Sequence, residues 1–214
     1  MAYQWVFDHA ETMIINKRGL VAQSITRDQR IRSVSRDGEL WKFTIKMPTG
    51  LTYAANRGYL EALDVADRIA TETVNLSLSG YNYIVGYRGD AASTAGLTLK
   101  YTSAMAAVNT KQFEAGSLPS IGSTAKVFRA GDLIQKTGST YVYTVTADVA
   151  RGAGSTVVVP VNRSILDAPN ANAAVAKIGP AVEWTVVCTQ RPDWRLIAKD
   201  IIEWTGEFVF QEVS

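Results

Sequence analysis

The chain of 214 residues holds one cysteine, Cys188, and one histidine, His9. A lone cysteine excludes an intrachain disulfide framework. One histidine and one cysteine also argue against a protein-built zinc site, which draws on several such ligands. Charge of one sign is scarce too: 22 Lys and Arg stand against 20 Asp and Glu, a net +2. A nucleic-acid surface usually brings a clustered basic face and a pI above ~9. The pI here is about 8.6, so no specific nucleic-acid partner is expected. No run approaches the ~18 uninterrupted apolar residues that cross a bilayer, so no membrane partner is expected. The segment from Met1 to His9 lacks a basic stretch followed by an apolar one, which argues against a secretory leader and for a soluble protein made in a cytoplasm.

Apolar residues are plentiful, at 47%, enough for a substantial core. Their charged counterparts are spread unevenly. Residues 1–72 hold 19 of the 42 charged side chains, residues 73–182 hold 14, and residues 183–214 hold 9. This charged, sparse, charged pattern predicts one body built from both chain ends, residues 1–78 plus 183–214, with an inserted domain over 79–182.

Strand signals dominate. Leu40 to Met47 alternates Trp41, Phe43, Ile45 and Met47 with Lys42, Thr44 and Lys46, the period of a half-buried strand. The Asp37-Gly38 pair before it suits a hairpin turn. Tyr3–Phe7, Met13–Ile15, Val74–Leu78, Tyr81–Val85 and Glu183–Gln190 also read as strands. So do Ala125–Phe128, Leu133–Gln135, Tyr141–Val145 and Thr156–Val161, whose Gly-containing punctuation suggests a small antiparallel barrel or sandwich. Residues 102–112 fit either a short helix or a loop. The one clear helix spans 55–70, with Ala55, Tyr59, Ala62 or Leu63, Ala66 and Ile69 recurring at helical spacing and Asn56 placed to cap it. Its carboxylates Glu61, Asp64 and Asp67 read as a solvated face. The expected class is mainly β: a β-sandwich or barrel body carrying one packed helix, with an inserted β-barrel-like domain.

Residues with chemical potential are isolated from one another. His9 lies between Asp8 and Glu11, and no Gly-x-Ser-x-Gly elbow exists to pair with it. Cys188 sits inside a strand, where a thiol behaves as a small core residue. Asp193, Asp200, Glu203 and Glu207 include the carboxylates a glycosidase needs, but their irregular spacing reads as surface. The stretch Arg151-Gly152-Ala153-Gly154-Ser155 lacks the Gly-Lys-Ser/Thr of a phosphate loop and reads as a turn. Arg27, Arg30, Arg32 and Arg36 form a local basic cluster, diluted by Asp28 and Asp37, that suits a solvated or interface-facing loop. No catalytic residue, cofactor site or metal site is assigned.

Two segments carry a resemblance. Phe128-Arg129-Ala130-Gly131-Asp132-Leu133-Ile134-Gln135, running on through Tyr141-Val142-Tyr143-Thr144-Val145 to Val159-Pro160-Val161-Asn162-Arg163, resembles a β-module of tailed-phage structural proteins. The ending Trp204-Thr205-Gly206-Glu207-Phe208-Val209-Phe210-Gln211-Glu212-Val213 is similar to endings of phage tail and baseplate components. The overall plan resembles the distal tail (baseplate hub) family. That resemblance implies a non-enzymatic virion protein, assembled in the host cytoplasm, forming a symmetric ring with itself, a homohexamer. The ring would join the tail tube protein to other tail-tip proteins. Competing expectations are a tail-tube or tail-terminator subunit, a carbohydrate-binding module, and a cell-wall hydrolase using the C-terminal carboxylates. The run from Ile201 to Val213 is expected either as an assembly edge of the sheet or as an ordinary internal strand.

Overall fold

A computed structural model describes residues 2–17, 20–25, 31–36, 40–66 and 70–213. The first part of the chain forms α1 (Ala2–Asp8), β1 (Thr12–Asn16), β2 (Leu20–Ile25), β3 (Ile31–Arg36), β4 (Lys42–Lys46), α2 (Tyr53–Val65) and β5 (Thr71–Val74). The middle forms β6 (Thr98–Tyr101), α3 (Ser103–Val108), β7 (Gln112–Gly116), β8 (Lys126–Phe128) and β9 (Leu133–Lys136). It continues with β10 (Tyr143–Thr144), β11 (Val149–Ala150), β12 (Val157–Pro160) and β13 (Asn170–Ile178). The last part forms β14 (Trp184–Gln190), β15 (Trp194–Ile197), β16 (Ile201–Trp204) and β17 (Phe208–Glu212). The fold is mainly β and its strand pairings are antiparallel, as the alternating runs predict.

Strands from both ends of the chain interleave in one five-stranded sheet, ordered β1-β4-β17-β14-β5. The alternation in β4 has its physical expression there: Phe43 and Ile45 are fully buried while Lys42 and Lys46 are exposed. On the buried face Phe7 of α1 meets Phe43 and Phe210 at 5.3 and 5.1 Å between ring centroids, and Tyr3 meets Phe210 at 5.2 Å. Trp41 and Trp184 complete the aromatic core in a T-shaped pair at 5.5 Å. Each such ring, taken out of water, contributes roughly 1.5–3 kcal/mol. The opposite face carries exposed Thr12, Ile14 and Asn16, directly across from Lys46, Thr44 and Lys42 in the β1–β4 register.

The middle strands form a second sheet, ordered β10-β9-β13-β6-β7-β12. Its two end strands approach each other. Val145 bridges Val161, the Thr146 N–H donates to the Pro160 carbonyl at 3.1 Å, and the Asn162 N–H donates to the Thr144 carbonyl at 3.0 Å. The sheet therefore curls into a barrel-like unit around Leu99, Phe113, Phe128, Ile134, Tyr143, Val145 and Val159, all buried. Pro160, which has no N–H to donate, falls on the edge strand β12, where a ladder tolerates it. The chain passes into and out of this unit at one point. Gly179 has φ +60°, and a Cβ there would lie 2.8 Å from the Val85 carbonyl oxygen. Only glycine meets both conditions without strain.

Several local expectations are corrected. Residues 3–7 are helical in α1, not a strand. The Glu72 carboxylate accepts the Ala2 and Tyr3 N–H groups at 3.1 and 2.8 Å, and Gln4 exchanges hydrogen bonds with the Asn75 backbone. Those partners lie about seventy residues away and override the strand propensity of a Tyr-Gln-Trp-Val-Phe run. The strand expected over Val74–Leu78 ends at Val74, and that over Tyr81–Val85 is a 3-10 turn at Asn82–Ile84.

The helix expected over 55–70 runs from Tyr53 to Val65, and residues 67–69 lie outside the described residues. Its buried positions are Asn56, Leu60 and Leu63, whereas Ala55, Tyr59 and Ala62 are exposed. The N-cap is Thr52; Asn56 lies inside the helix and its amide donates to the Thr52 carbonyl at 2.8 Å. The undecided stretch over 102–112 holds α3, capped by Thr102, and then the start of β7. The C-terminal run is two strands rather than one. β17 is the third strand of five, bonded to β4 and β14, so it is internal and not an assembly edge. The Asp37-Gly38 turn lies outside the described residues.

Candidate functional site

The structure disperses the candidate side chains. His9 is exposed past the end of α1, its ring 5.0 Å from Trp5 and its Nδ1 3.0 Å from the Trp5 carbonyl oxygen. Cys188 is buried in β14. Asp64 pairs with Arg191, and Glu61 is exposed. Asp200 serves α2, accepting the Ala54 N–H on Oδ1 at 2.9 Å while its carbonyl accepts the Tyr53 N–H. Glu203 pairs with Arg195 across the β15–β16 hairpin. Asp193 lines an open cleft with Asp64 and Arg191, and Glu207 lines a different one beside Trp204. Asp200 and Glu203 are thus engaged with different partners, and Asp193 and Glu207 line different clefts. Among the described residues no three His, Cys, Asp or Glu side chains converge on one point.

The glycine-containing turn has the wrong polarity for a phosphate. Arg151 donates to the Gly152 and Gly154 carbonyls at 3.2 and 2.6 Å, so the loop wraps a cation with acceptors. Arg27 and Arg30 lie outside the described residues, and Arg32 and Arg36 lie on β3.

What the fold does bring together is a junction between the two cores. Arg163 leaves the closing edge of the barrel-like unit between the rings of Tyr141 and Tyr143, at 5.6 and 5.1 Å to their centroids. Its Nη1 donates to Glu212 Oε2 at 2.6 Å and its Nη2 to Glu212 Oε1 at 2.8 Å. Glu212 belongs to β17 of the five-stranded sheet, and both side chains are about fully buried. The carboxylate also accepts the Trp41 and Val142 N–H groups, each at 3.2 Å. The Val142 carbonyl accepts both Arg163 Nη2 at 2.9 Å and the Trp41 indole N–H at 3.0 Å. Val142 and Leu133 of the middle stretch pack into the aromatic core of the five-stranded sheet. A bidentate pair with this many hydrogen bonds fixes an orientation, because desolvating two charges is repaid only at one geometry.

A second polar focus sits on the barrel-like unit around Arg129. Asp132 is buried and accepts the Arg88 and Arg129 N–H groups at 2.9 and 2.8 Å. Burial pushes its carboxyl above the ordinary aspartate value, against the pull of those N–H groups. Asp90 accepts the Lys126 N–H and the Arg129 guanidinium, each at 2.7 Å, and both hold its carboxyl below that value. These groups tie loops together.

Arg163 and Glu212 stand 49 residues apart and were not singled out from the sequence. A signal existed for one: Glu212 shares its parity with the buried Phe208 and Phe210, which places a carboxylate on an inward face. Arg163 likewise shares parity with Val159 and Val161. Neither a protein-family model nor a curated protein matches the chain.

Proposed function

We propose that the chain is a non-enzymatic structural subunit of a phage tail tip or baseplate, a distal tail protein that forms a symmetric ring. The ring joins the tail tube to the tip apparatus, and the subunit acts by binding its neighbours. The junction at Arg163 and Glu212 is the observation that most supports this reading. It joins the two cores through a buried bidentate pair of defined geometry, and a subunit that passes force between neighbours needs a fixed internal angle. The five-stranded sheet adds a face packed by α1 on one side and exposed on the other, with β1 and β5 as its edges. Such edges and faces are the surfaces through which a copy binds a different patch on the next. The resemblance over 128–163 and 204–213 supports a position at the tail tip.

The test is localisation. Gold labelling of an affinity-tagged chain in purified tail particles is expected to mark one position at the tail tip. Label spaced along the whole tail would make the chain a tube subunit, and label at the head-proximal end a terminator.

A further inference from the structure

The cleft beside Trp204 lies where the end of β4 meets the turn between β16 and β17. The antiparallel pairing of β4 with β17 builds it: Phe208 stands opposite Ile45, so the residues just before β17 come to those just after Ile45. It encloses about 210 Å³ and is lined by Lys46, Met47, Thr49, Trp204, Gly206 and Glu207. Sites for whole small molecules run from about 300 to 1,000 Å³. This one has room for a single side chain rather than for a cofactor or a sugar chain.

Its lining selects the guest. Met47 is buried, and Trp204 is half-buried with its ring in a T-shaped contact with Phe208 at 5.2 Å. The indole Nε1 of Trp204 is shut off from solvent, so a guest meets the ring and not a hydrogen-bond donor. The two charges at the cleft are not equivalent. Lys46 is already paired, its ammonium 3.2 Å from Glu11 Oε2. Glu207 is exposed and has no ion pair among the described residues. The unbalanced group is therefore a carboxylate beside an indole. An acidic guest would meet Glu207 with Lys46 engaged elsewhere. A guanidinium, by contrast, is a flat cation that stacks on a ring while donating to a carboxylate.

We propose that this cleft receives an arginine side chain of a binding partner, its guanidinium against the Trp204 ring and paired with Glu207. The aliphatic stem of the arginine lies along Met47, as long cationic side chains do on apolar surface. An arginine seated in a small pocket is a common anchor of protein–protein contacts. The assignment does not depend on the ring reading, because any partner that presents an arginine satisfies it.

The test titrates the full chain with Nα-acetyl-arginine amide and follows the Trp204 indole resonance by NMR, assigned with the variant Trp204→Phe. A saturable shift is expected in the millimolar range. Nα-acetyl-citrulline amide, nearly the same shape without the charge, is expected to bind at least about fivefold more weakly. Glu207→Gln is expected to weaken binding of the arginine amide at least about threefold, and Lys46→Gln, which removes the competing cation, to tighten it. Both substitutions fall on exposed side chains, so native near-ultraviolet dichroism is expected of each. The assignment would be overturned by the absence of a saturable shift or by equal binding of the two amides. A Glu207→Gln variant that binds like the wild type, or a Lys46→Gln variant that binds more weakly, would overturn it too. None of these results bears on where the chain sits in a tail, which the labelling experiment decides separately.

Discussion

The two cores of this molecule are built in opposite ways. The five-stranded sheet takes β1, β4 and β5 from the first 74 residues and β14 and β17 from residues 184–212, and its core is crowded with rings: Trp41, Trp184, Phe7, Phe43, Phe208 and Phe210. The barrel-like unit draws its core from one continuous stretch, Leu97 to Ile178, and much of it is valine. A core assembled from both chain ends depends on distant segments meeting, whereas a contiguous one depends on its own turns. Damage to either terminus should therefore separate the two.

The largest effect is expected from removing residues 206–214. This deletes β17 from the middle of the five-stranded sheet and takes Phe208, Phe210 and Glu212 out of its core. The body should lose its fold and the protein its solubility, while residues 84–180 expressed alone give a cooperatively melting β-rich fragment. In that fragment Arg163 has lost Glu212, but with the body gone its guanidinium meets water. An 84–180 fragment without a cooperative transition by circular dichroism would mean that the cores are not separable.

Next in size is the junction. Glu212→Ala leaves the Arg163 guanidinium buried without its anion and is expected to cost about 3–5 kcal/mol in urea unfolding. Arg163→Met is expected to cost a similar amount for the mirror-image reason. The double variant Arg163→Met, Glu212→Leu should recover most of that loss, because an apolar pair of similar size removes both desolvation costs. If the double variant is as unstable as the sum of the singles, the pair is not acting as a unit. Smaller again is Gly179→Ala, where positive φ and the nearby Val85 carbonyl together should cost about 1–3 kcal/mol.

The aspartates around Arg129 give a pH signature confined to the barrel-like unit. The Lys126 N–H and Arg129 hold Asp90 below the ordinary value of 3.8, so its contribution is present above that value and fades as pH falls through the lowered one. Asp132 is raised by burial, so its contribution is present below the ordinary value and fades as pH rises through the raised one. Carboxylate carbon NMR should find the two midpoints on opposite sides of 3.8. The smallest effect is expected at His9→Ala, within about 0.5 kcal/mol, since an exposed ring beyond a helix end carries little.

How much of this was legible depended on how local the cause was. The alternation around Phe43 and Ile45 marked β4, and the Gly131-Asp132 pair marked a turn in which Gly131 has φ +98°. α1 was illegible because Glu72 and Asn75, which hold it as a helix, are far along the chain. The buried face of α2 includes the expected Leu63, but Asn56 and Leu60 take the interior in place of Ala55, leaving Tyr59 to stack on Trp5 at 5.4 Å. The continuous apolar look of 201–213 concealed a break: Ile201–Trp204 pairs with β15, while Phe208–Glu212 joins the large sheet. The Arg163–Glu212 pair was out of reach as a pair, since parity places each residue inward but cannot say that two inward faces meet.

The proposed ring-forming role is tested most directly by the mass of the chain in solution. Native mass spectrometry across micromolar concentrations is expected to show one closed oligomer, six copies on the family resemblance, seen as an annulus by negative-stain electron microscopy. A protein that remains a 23.3 kDa monomer at every concentration, with no annular particles, would contradict it.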